Sequence, residues 1–297
     1  MLNEAFLKSL RERLLSVGED ISGLILFGSS ARGEVSARDM DVLVVLKGPE
    51  VGRPQRDRAL VALRKALGTD GLWVDLVVVT EEGLRRGLEN HLPFYLDIAV
   101  DGVVIHDVGG IGPLLEETRR EIQARRIRRT ETGGWEFPVP YRGRVPLSPL
   151  ENVTWARQWL KDGERDLQAA EALFQAQLYE RSVTHSQQAV EKSVKAVLAC
   201  VGRMERTHYL SSCLRALLPG IREPHWRERL ERLADTAADL EPAAVGSRYP
   251  VESGEDVLWP AEQYGRQDAE WALTLAREAL ETGRAFVEWW AGEDGPS

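Results

Sequence analysis

Gly28-Ser29-Ser30-Ala31-Arg32-Gly33, followed five residues later by Asp39-Met40-Asp41, is the stretch whose reading decides the fold. It comes directly after Ile21-Ser22-Gly23-Leu24-Ile25-Leu26-Phe27, a short apolar run with the length of a buried strand. Glycine and serine at 28–30 permit the chain to turn sharply there. Backbone N–H groups freed in such a turn, with hydroxyls beside them, can hold phosphate oxygens without any charged side chain. The next run, Asp41-Val42-Leu43-Val44-Val45-Leu46, is rich in β-branched residues and reads as a second buried strand.

Asp39 and Asp41 are two residues apart, so on an extended backbone their carboxylates leave the same face. Two like charges so placed repel, and a hard, oxygen-seeking cation such as Mg²⁺ relieves that repulsion. A third acid, Asp75, lies inside Leu72-Trp73-Val74-Asp75-Leu76-Val77-Val78-Val79, where a carboxylate among apolar neighbours requires a partner or a metal. Three acids on adjacent strands suit two metal ions, one at an attacking hydroxyl and one at a leaving pyrophosphate. The competing reading is that these acids only cap turns.

The pattern resembles the nucleotidyltransferase superfamily that includes DNA polymerase β and the kanamycin nucleotidyltransferases, in its minimal form. That family places a hydrophobic residue and Gly-Ser some nine to thirteen residues ahead of Asp-hydrophobic-Asp-hydrophobic, with a later third acid. Here Phe27-Gly28-Ser29 is followed by the nine residues 30–38 and then Asp39-Met40-Asp41-Val42. Arg38 departs from the serine that many relatives carry before the first Asp. The resemblance implies an NTP substrate bound by Gly28 and Ser29, with Ser30, Arg32 and Gly33 completing the turn. It implies Mg²⁺, two ions in all, held by Asp39, Asp41 and Asp75, with Asp75 as third ligand or general base.

Up to about residue 108, apolar runs alternate with helical segments such as Arg53 to Leu67 and Glu81 to Glu89, the pattern of a helix-covered small sheet. Asp101 to Asp107 reads as a last turn and strand, and Leu114 to Arg129 as a helix. Residues 130–149 collect Gly133, Gly134, Pro138, Pro140, Gly143, Pro146 and Pro149, so a linker without regular elements is expected. Beyond 150 the spacing is helical, with long helices at Asn152 to Phe174, Glu180 to Val201, Glu223 to Leu240 and Ala261 to Trp290, and a shorter one at Tyr209 to Leu217. The fold class is therefore α+β: a mixed-sheet domain over 1–108, helix and linker over 109–150, a helical domain over 151–291 and a tail over 292–297.

On the second long helix, Val183, Val190, Val194, Val197 and Val201 share one face, and His185, Gln188, Lys192 and Lys195 another. The polar stripe, with Arg248, is a candidate for nucleotide or acceptor phosphate, and Lys192 its leading member; solvated lysines are the plainer reading. Eight of the nine tryptophans follow residue 130, consistent with core and subunit-contact roles. Ala169-Ala170, Ser182 through Ala196, His208-Tyr209-Leu210 and Arg248-Tyr249-Pro250 resemble the HEPN domain, a helical bundle, over roughly 152–290. That resemblance implies a homodimer through the helices. It also raises RNA cleavage by an Arg–His pair: Arg203 and His208 have the spacing, but they fall in the turn after the second helix. In paired systems of this kind the nucleotidyltransferase can modify a tyrosine of its HEPN partner near that motif, and by this resemblance Tyr209, directly after His208, is a candidate for self-modification.

Composition narrows the rest. With 38 basic against 47 acidic side chains, the net charge is −9 and the pI about 5.3, against broad nucleic-acid binding though not against a local basic patch. The arginines from Arg119 to Arg129 alternate with Glu116, Glu117 and Glu121 and read as an ion-paired helix face. Cys200 and Cys213 read as idle thiols in a reducing cytoplasm. No apolar run reaches bilayer length and no secretion signal opens the chain, so no membrane role and a cytoplasmic location are expected. The reading is transfer of a nucleoside monophosphate to a hydroxyl acceptor, whether small molecule, protein tyrosine or RNA end. Its alternatives are a nucleotide-sensing or antitoxin module and, third, a HEPN ribonuclease.

Overall fold

A computed structural model describes residues 4–18, 20–33, 40–68, 74–253 and 256–292. The chain divides into two compact units, Met1–Arg125 and Arg126–Ser297. The first runs α1 (Glu4–Leu15), β1 (Ile21–Phe27), α2 (Gly28–Ala31), β2 (Met40–Leu46), α3 (Arg53–Leu67), β3 (Val74–Thr80), α4 (Glu81–Glu89), α5 (Pro93–Asp101), β4 (Val103–Asp107) and α6 (Ile111–Ala124).

Its four strands form one mixed sheet in the order β3-β2-β1-β4. β1 is antiparallel to β2 and β4, and β2 is parallel to β3. Alternation along β2 sends Val42 and Val44 into a core shared with Leu10 and Leu14 of α1, Leu63 and Leu67 of α3 and Leu76 of β3. Asp41, Leu43 and Val45 take the opposite face. The expected bounds of β1, α3 and α4 are met to the residue. The helix α5 was not legible, because Pro93-Phe94-Tyr95-Leu96 offers no amphipathic period.

α6 is displaced from the expected Leu114 to Arg129. Asp107 accepts from the N–H groups of Gly109, Gly110, Ile111 and Gly112 at 2.8–3.1 Å, so the helix starts earlier. Burial alone would raise the Asp107 pKa, but those four bonds hold it below the ordinary value. At the other end Arg126 takes a left-handed φ of 57°, which stops the helix, and Arg128–Arg129 turn into a strand.

The second unit contains β5 (Arg128–Arg129), β6 (Trp135–Glu136), α7 (Asn152–Gln175), α8 (Tyr179–Cys200), β7 (Arg203–Met204), α9 (Ser211–Leu217), α10 (Pro224–Leu240), α11 (Ala243–Gly246), β8 (Val251–Ser253), β9 (Asp256–Leu258), α12 (Pro260–Gln263) and α13 (Arg266–Ala291). Two expectations are corrected here. The segment 130–149 does hold a regular element: β6 pairs with both β5 and β7, with Trp135 buried. Glu205 anchors this small sheet by accepting from the hydroxyls of Thr130 and Thr132. The last helix is broken at Tyr264-Gly265, where Asp268 accepts from the Gly265 N–H at 2.8 Å and starts α13 afresh.

α8 is the central helix. Past its first turn only His185, Gln188, Lys192 and Lys195 are partly exposed, and α7 and α13 pack on it closely. Gly163 of α7 and Gly283 of α13 allow this approach: a Cβ on either would meet atoms of the facing helices at 3.1–3.4 Å. Buried Asn152 locks the near ends, donating to Gly143 O at 3.0 Å and Cys200 O at 2.6 Å while accepting from Val145 N–H at 3.0 Å.

Candidate active site

β1 ends at Phe27, whose ring meets Phe94 of α5 edge-on at 5.5 Å between centroids. The chain then turns at Gly28, with φ +71°, into the single turn α2. The turn closes through Arg32 N–H to Gly28 O at 3.3 Å and Gly33 N–H to Ser30 O at 3.2 Å. The first N–H groups of such a turn have no carbonyl partner within its own hydrogen-bonding pattern. Ser29 is half-buried, Ser30 buried and Gly33 exposed.

The glycine at 28 is required twice, by its positive φ and by its neighbour. A Cβ there would sit 2.2 Å from Asp41 Oδ2 and 3.1 Å from Asp41 Cγ. Phe27 and Asp41 are register partners across β1 and β2, which is what brings the carboxylate onto the turn. Asp41 is in turn the register partner of Asp75 on parallel β3, so both carboxylates leave the same face of the sheet from adjacent strands. The turn and two of the three expected acids are thus assembled by strand pairing. Asp39 lies outside the described residues, and among those described no group of three metal-ligating side chains gathers.

Asp75 differs from its expectation. It stands at the start of an edge strand and its side chain is 68% exposed, so it is hydrated rather than enclosed by apolar neighbours. Arg64 of α3 lies 3.7 Å from Asp75 Oδ1. Arg32 donates to Asp101 Oδ2 at 3.3 Å, which sets the guanidinium against the end of α5. Neither Arg64 nor Asp101 was a candidate from sequence. Asp101 is 69 positions from Arg32, and nothing local marks such a pair.

Lys192 belongs to the second unit, and its ammonium is held by two carboxylates of α7, Asp162 and Asp166, each at 2.5 Å. Burial would lower its pKa, but the bonds to Asp162 and Asp166 raise it above the ordinary value. His185 meets Asp166 at 3.1 Å, and Lys195 pairs with Glu191 at 2.7 Å above the Trp159 ring. The polar stripe is therefore largely an ion-paired seam between α7 and α8. Arg248 keeps two guanidinium nitrogens buried without hydrogen-bond partners.

Arg203 and His208 serve separate networks. Arg203 pairs with buried Glu205 at 2.7 Å, and His208 Nδ1 meets buried Glu191 at 2.9 Å. His208, ahead of α9, thus packs back onto α8. Glu191, which burial would push up, is held below its ordinary pKa by Lys195 and His208. Tyr209 is exposed. The arginine run is not one ion-paired helix face: Arg119 pairs with Glu116, while Arg125 donates to His91 Nδ1 at 3.0 Å. Cys200 and Cys213 are buried free thiols, and among the described residues no helix is long and apolar enough to cross a membrane.

Comparison with known proteins matches these two units separately. A family model described as a nucleotidyltransferase domain matches residues 4–106, and one described as a HEPN domain matches residues 156–286. A protein of Methanocaldococcus jannaschii named "Putative toxin MJ1304" is 36% identical over 138 residues, 46% of this chain and 91% of that protein. The crystal structure of TT1696 from Thermus thermophilus is 28% identical, over 46% of this chain and 97% of that one, with a TM-score of 0.37. A nucleotidyltransferase-like protein from Exiguobacterium sibiricum 255-15 is 14% identical, over 96% and 78% of the two chains, with a TM-score of 0.38. With the glycine turn and strand-paired carboxylates in its first unit and the helical bundle in its second, the chain belongs to the proteins that join a nucleotidyltransferase domain to a HEPN domain.

Proposed function

We propose that the first unit transfers a nucleoside monophosphate from an NTP to a hydroxyl acceptor, with Mg²⁺ as cofactor. The observation that carries this reading is the contact of the Asp41 carboxylate with Gly28, in register with Asp75 on the next strand. The donor set is chemically suited to a hard divalent cation: paired carboxylates, with neither thiol nor imidazole between them. Asp41 and Asp75, with Asp39, would hold it. When bound, Mg²⁺ supplies neutralisation of triphosphate charge and activation of an oxygen nucleophile.

The chain's own residues divide the remaining work. The N–H groups of the turn at Gly28, Ser29 and Ser30 hold phosphate oxygens, with the hydroxyls beside them. Asp75, open to solvent, takes the proton from the acceptor hydroxyl. That oxygen attacks the α-phosphorus in line, the bond to the β-phosphate oxygen breaks, and pyrophosphate leaves. The acceptor is a small molecule, a protein tyrosine or an RNA end; exposed Tyr209 of the chain's own helical unit belongs to the second class.

Thermal melting with each NTP, with and without Mg²⁺, tests the site. At about a hundred times the dissociation constant, binding adds roughly 2.7 kcal/mol, and Asp41→Asn abolishes the metal-dependent part. Radiolabel transfer from an α-labelled NTP then tests chemistry. A nucleotide-dependent rise without transfer to any acceptor points to the sensing module. The relative's toxin name supports a second reading, that the two units act together as a toxin–antitoxin module. Growth arrest by the helical unit, relieved by the whole chain but not by its Asp41→Asn variant, is the outcome it requires.

A further inference from the structure

The turn α2 has four residues, too few to hold a helical geometry by itself. A turn that is to receive phosphate oxygens must nevertheless present its N–H groups in one arrangement before the ligand arrives. Asp41 fixes it from β2, at Gly28. The remaining support comes from α5, which packs against α2 and meets the chain immediately before and immediately after it. The Phe94 ring stands edge-on to Phe27 at 5.5 Å, and Asp101 Oδ2 accepts from Arg32 Nη1 at 3.3 Å. Phe27 and Arg32 are the two residues that flank the turn. Phe94 and Asp101 are about two helical turns apart, so they lie on one face of α5.

Asp101 is an unusual residue to end α5. The carbonyls at a helix C-terminus disfavour a negative charge, and this side chain is only 11% exposed. A carboxylate so placed requires a cation, which Arg32 supplies from 69 positions away. The end of α5 is itself fixed. Arg119 of α6 donates to Ala99 O at 2.5 Å and to Gly102 O at 3.5 Å. Gly102 lies so close to β1 that a Cβ there would be 2.9 Å from Ile25 Cγ2. An anchored helix end is thereby joined, through one ion pair, to the residue whose N–H closes the glycine turn on Gly28 O.

We propose that α5 braces the phosphate-binding turn from both ends and that Asp101 is a positioning residue for the triphosphate, acting through Arg32. This role rests on the reading of the first unit as a nucleotidyltransferase. Asp101 gains nothing from the ligand directly, since a carboxylate repels a triphosphate. Its effect is on the turn: with the guanidinium held at the end of α5, the N–H groups of Gly28, Ser29 and Ser30 keep one orientation. Without the pair, part of the binding energy is spent on ordering the turn again.

The test uses the full chain, with inorganic triphosphate and Mg²⁺ as a probe independent of base and acceptor. Hydrogen exchange read by mass spectrometry reports on the turn without any ligand. In Asp101→Asn the amides of Arg32 and Gly33 exchange about tenfold faster, while those of β1 and β2 stay protected and show the fold intact. Calorimetric titration reports on binding. Asp101→Asn weakens triphosphate binding about tenfold, and Arg32→Gln/Asp101→Asn binds no more weakly than Arg32→Gln alone, because both changes break one pair. Losses that add across the pair, or unchanged exchange at 32 and 33 in Asp101→Asn, overturn the role of Asp101 and leave nucleotide transfer standing. These effects without transfer from any NTP overturn transfer and leave the brace. A wild-type chain that does not bind triphosphate overturns both.

Discussion

The Asp41 carboxylate occupies the space beside Gly28 that any larger residue would need, with Oδ2 2.2 Å from the position of a Cβ at 28. Gly28 also has φ +71°, a conformation costly to residues with a side chain. Gly28→Ala is therefore expected to destabilise the first unit by about 1–3 kcal/mol and to displace Asp41. Asp41→Asn keeps the shape and changes stability little. Melting curves and nucleotide-dependent shifts measured on both variants separate the two effects: Ala loses fold stability and ligand response, Asn only the response.

Lys192 provides a test of whether the helical unit contributes to nucleotide binding. Its ammonium is shared by Asp162 and Asp166, so Lys192→Met leaves two neighbouring carboxylates unneutralised and should cost about 1–2 kcal/mol. If its charge serves only that seam, the midpoint of an NTP titration does not move. A large loss of NTP affinity with modest destabilisation would instead place it in the ligand site.

Asn152 joins three backbone groups at the ends of α7 and α8 and is fully buried. Asn152→Ala removes the partner of Val145 N–H and of Cys200 O, and leaves Gly143 O with the Trp290 Nε1–H alone, and should cost roughly 2–4 kcal/mol. Urea denaturation followed through the tryptophans of the helical unit measures it, and a change under about 0.5 kcal/mol would place these bonds among the dispensable ones.

His91 sets a pH dependence. Its ring is buried between Arg125 at Nδ1 and Glu121 at Nε2, and burial, then the Arg125 charge, hold its pKa below 6.5. The unfolded chain binds this proton more readily than the folded one, so stability rises with pH from the lowered folded pKa to about 6.5 and then levels. Below that window both states carry the proton. His91→Asn, which tolerates the positive φ of 50° at this position, should flatten this part of the melting-temperature profile. A slope of the opposite sign in the wild type would show that Glu121 prevails over Arg125.

Local pattern carried much of this far. Strands and helices with a clean period, such as Ile21–Phe27 and Arg53–Leu67, were legible because each buries one face whatever its partners. The glycine-serine turn and the acid at 41 were legible because their spacing fixes chemistry before packing does. By itself, then, the sequence determined the α+β class, the two kinds of unit and the likeness of each to a known domain. What only the tertiary structure decided are relations across long separations. Strand pairing puts Asp41 onto Gly28 and opposite Asp75, α3 brings Arg64 to Asp75, and α7 neutralises Lys192. Burial belongs to the same class: Asp75 sits in an apolar run yet is exposed, because it begins an edge strand, and no local pattern records which edge of a sheet is left open.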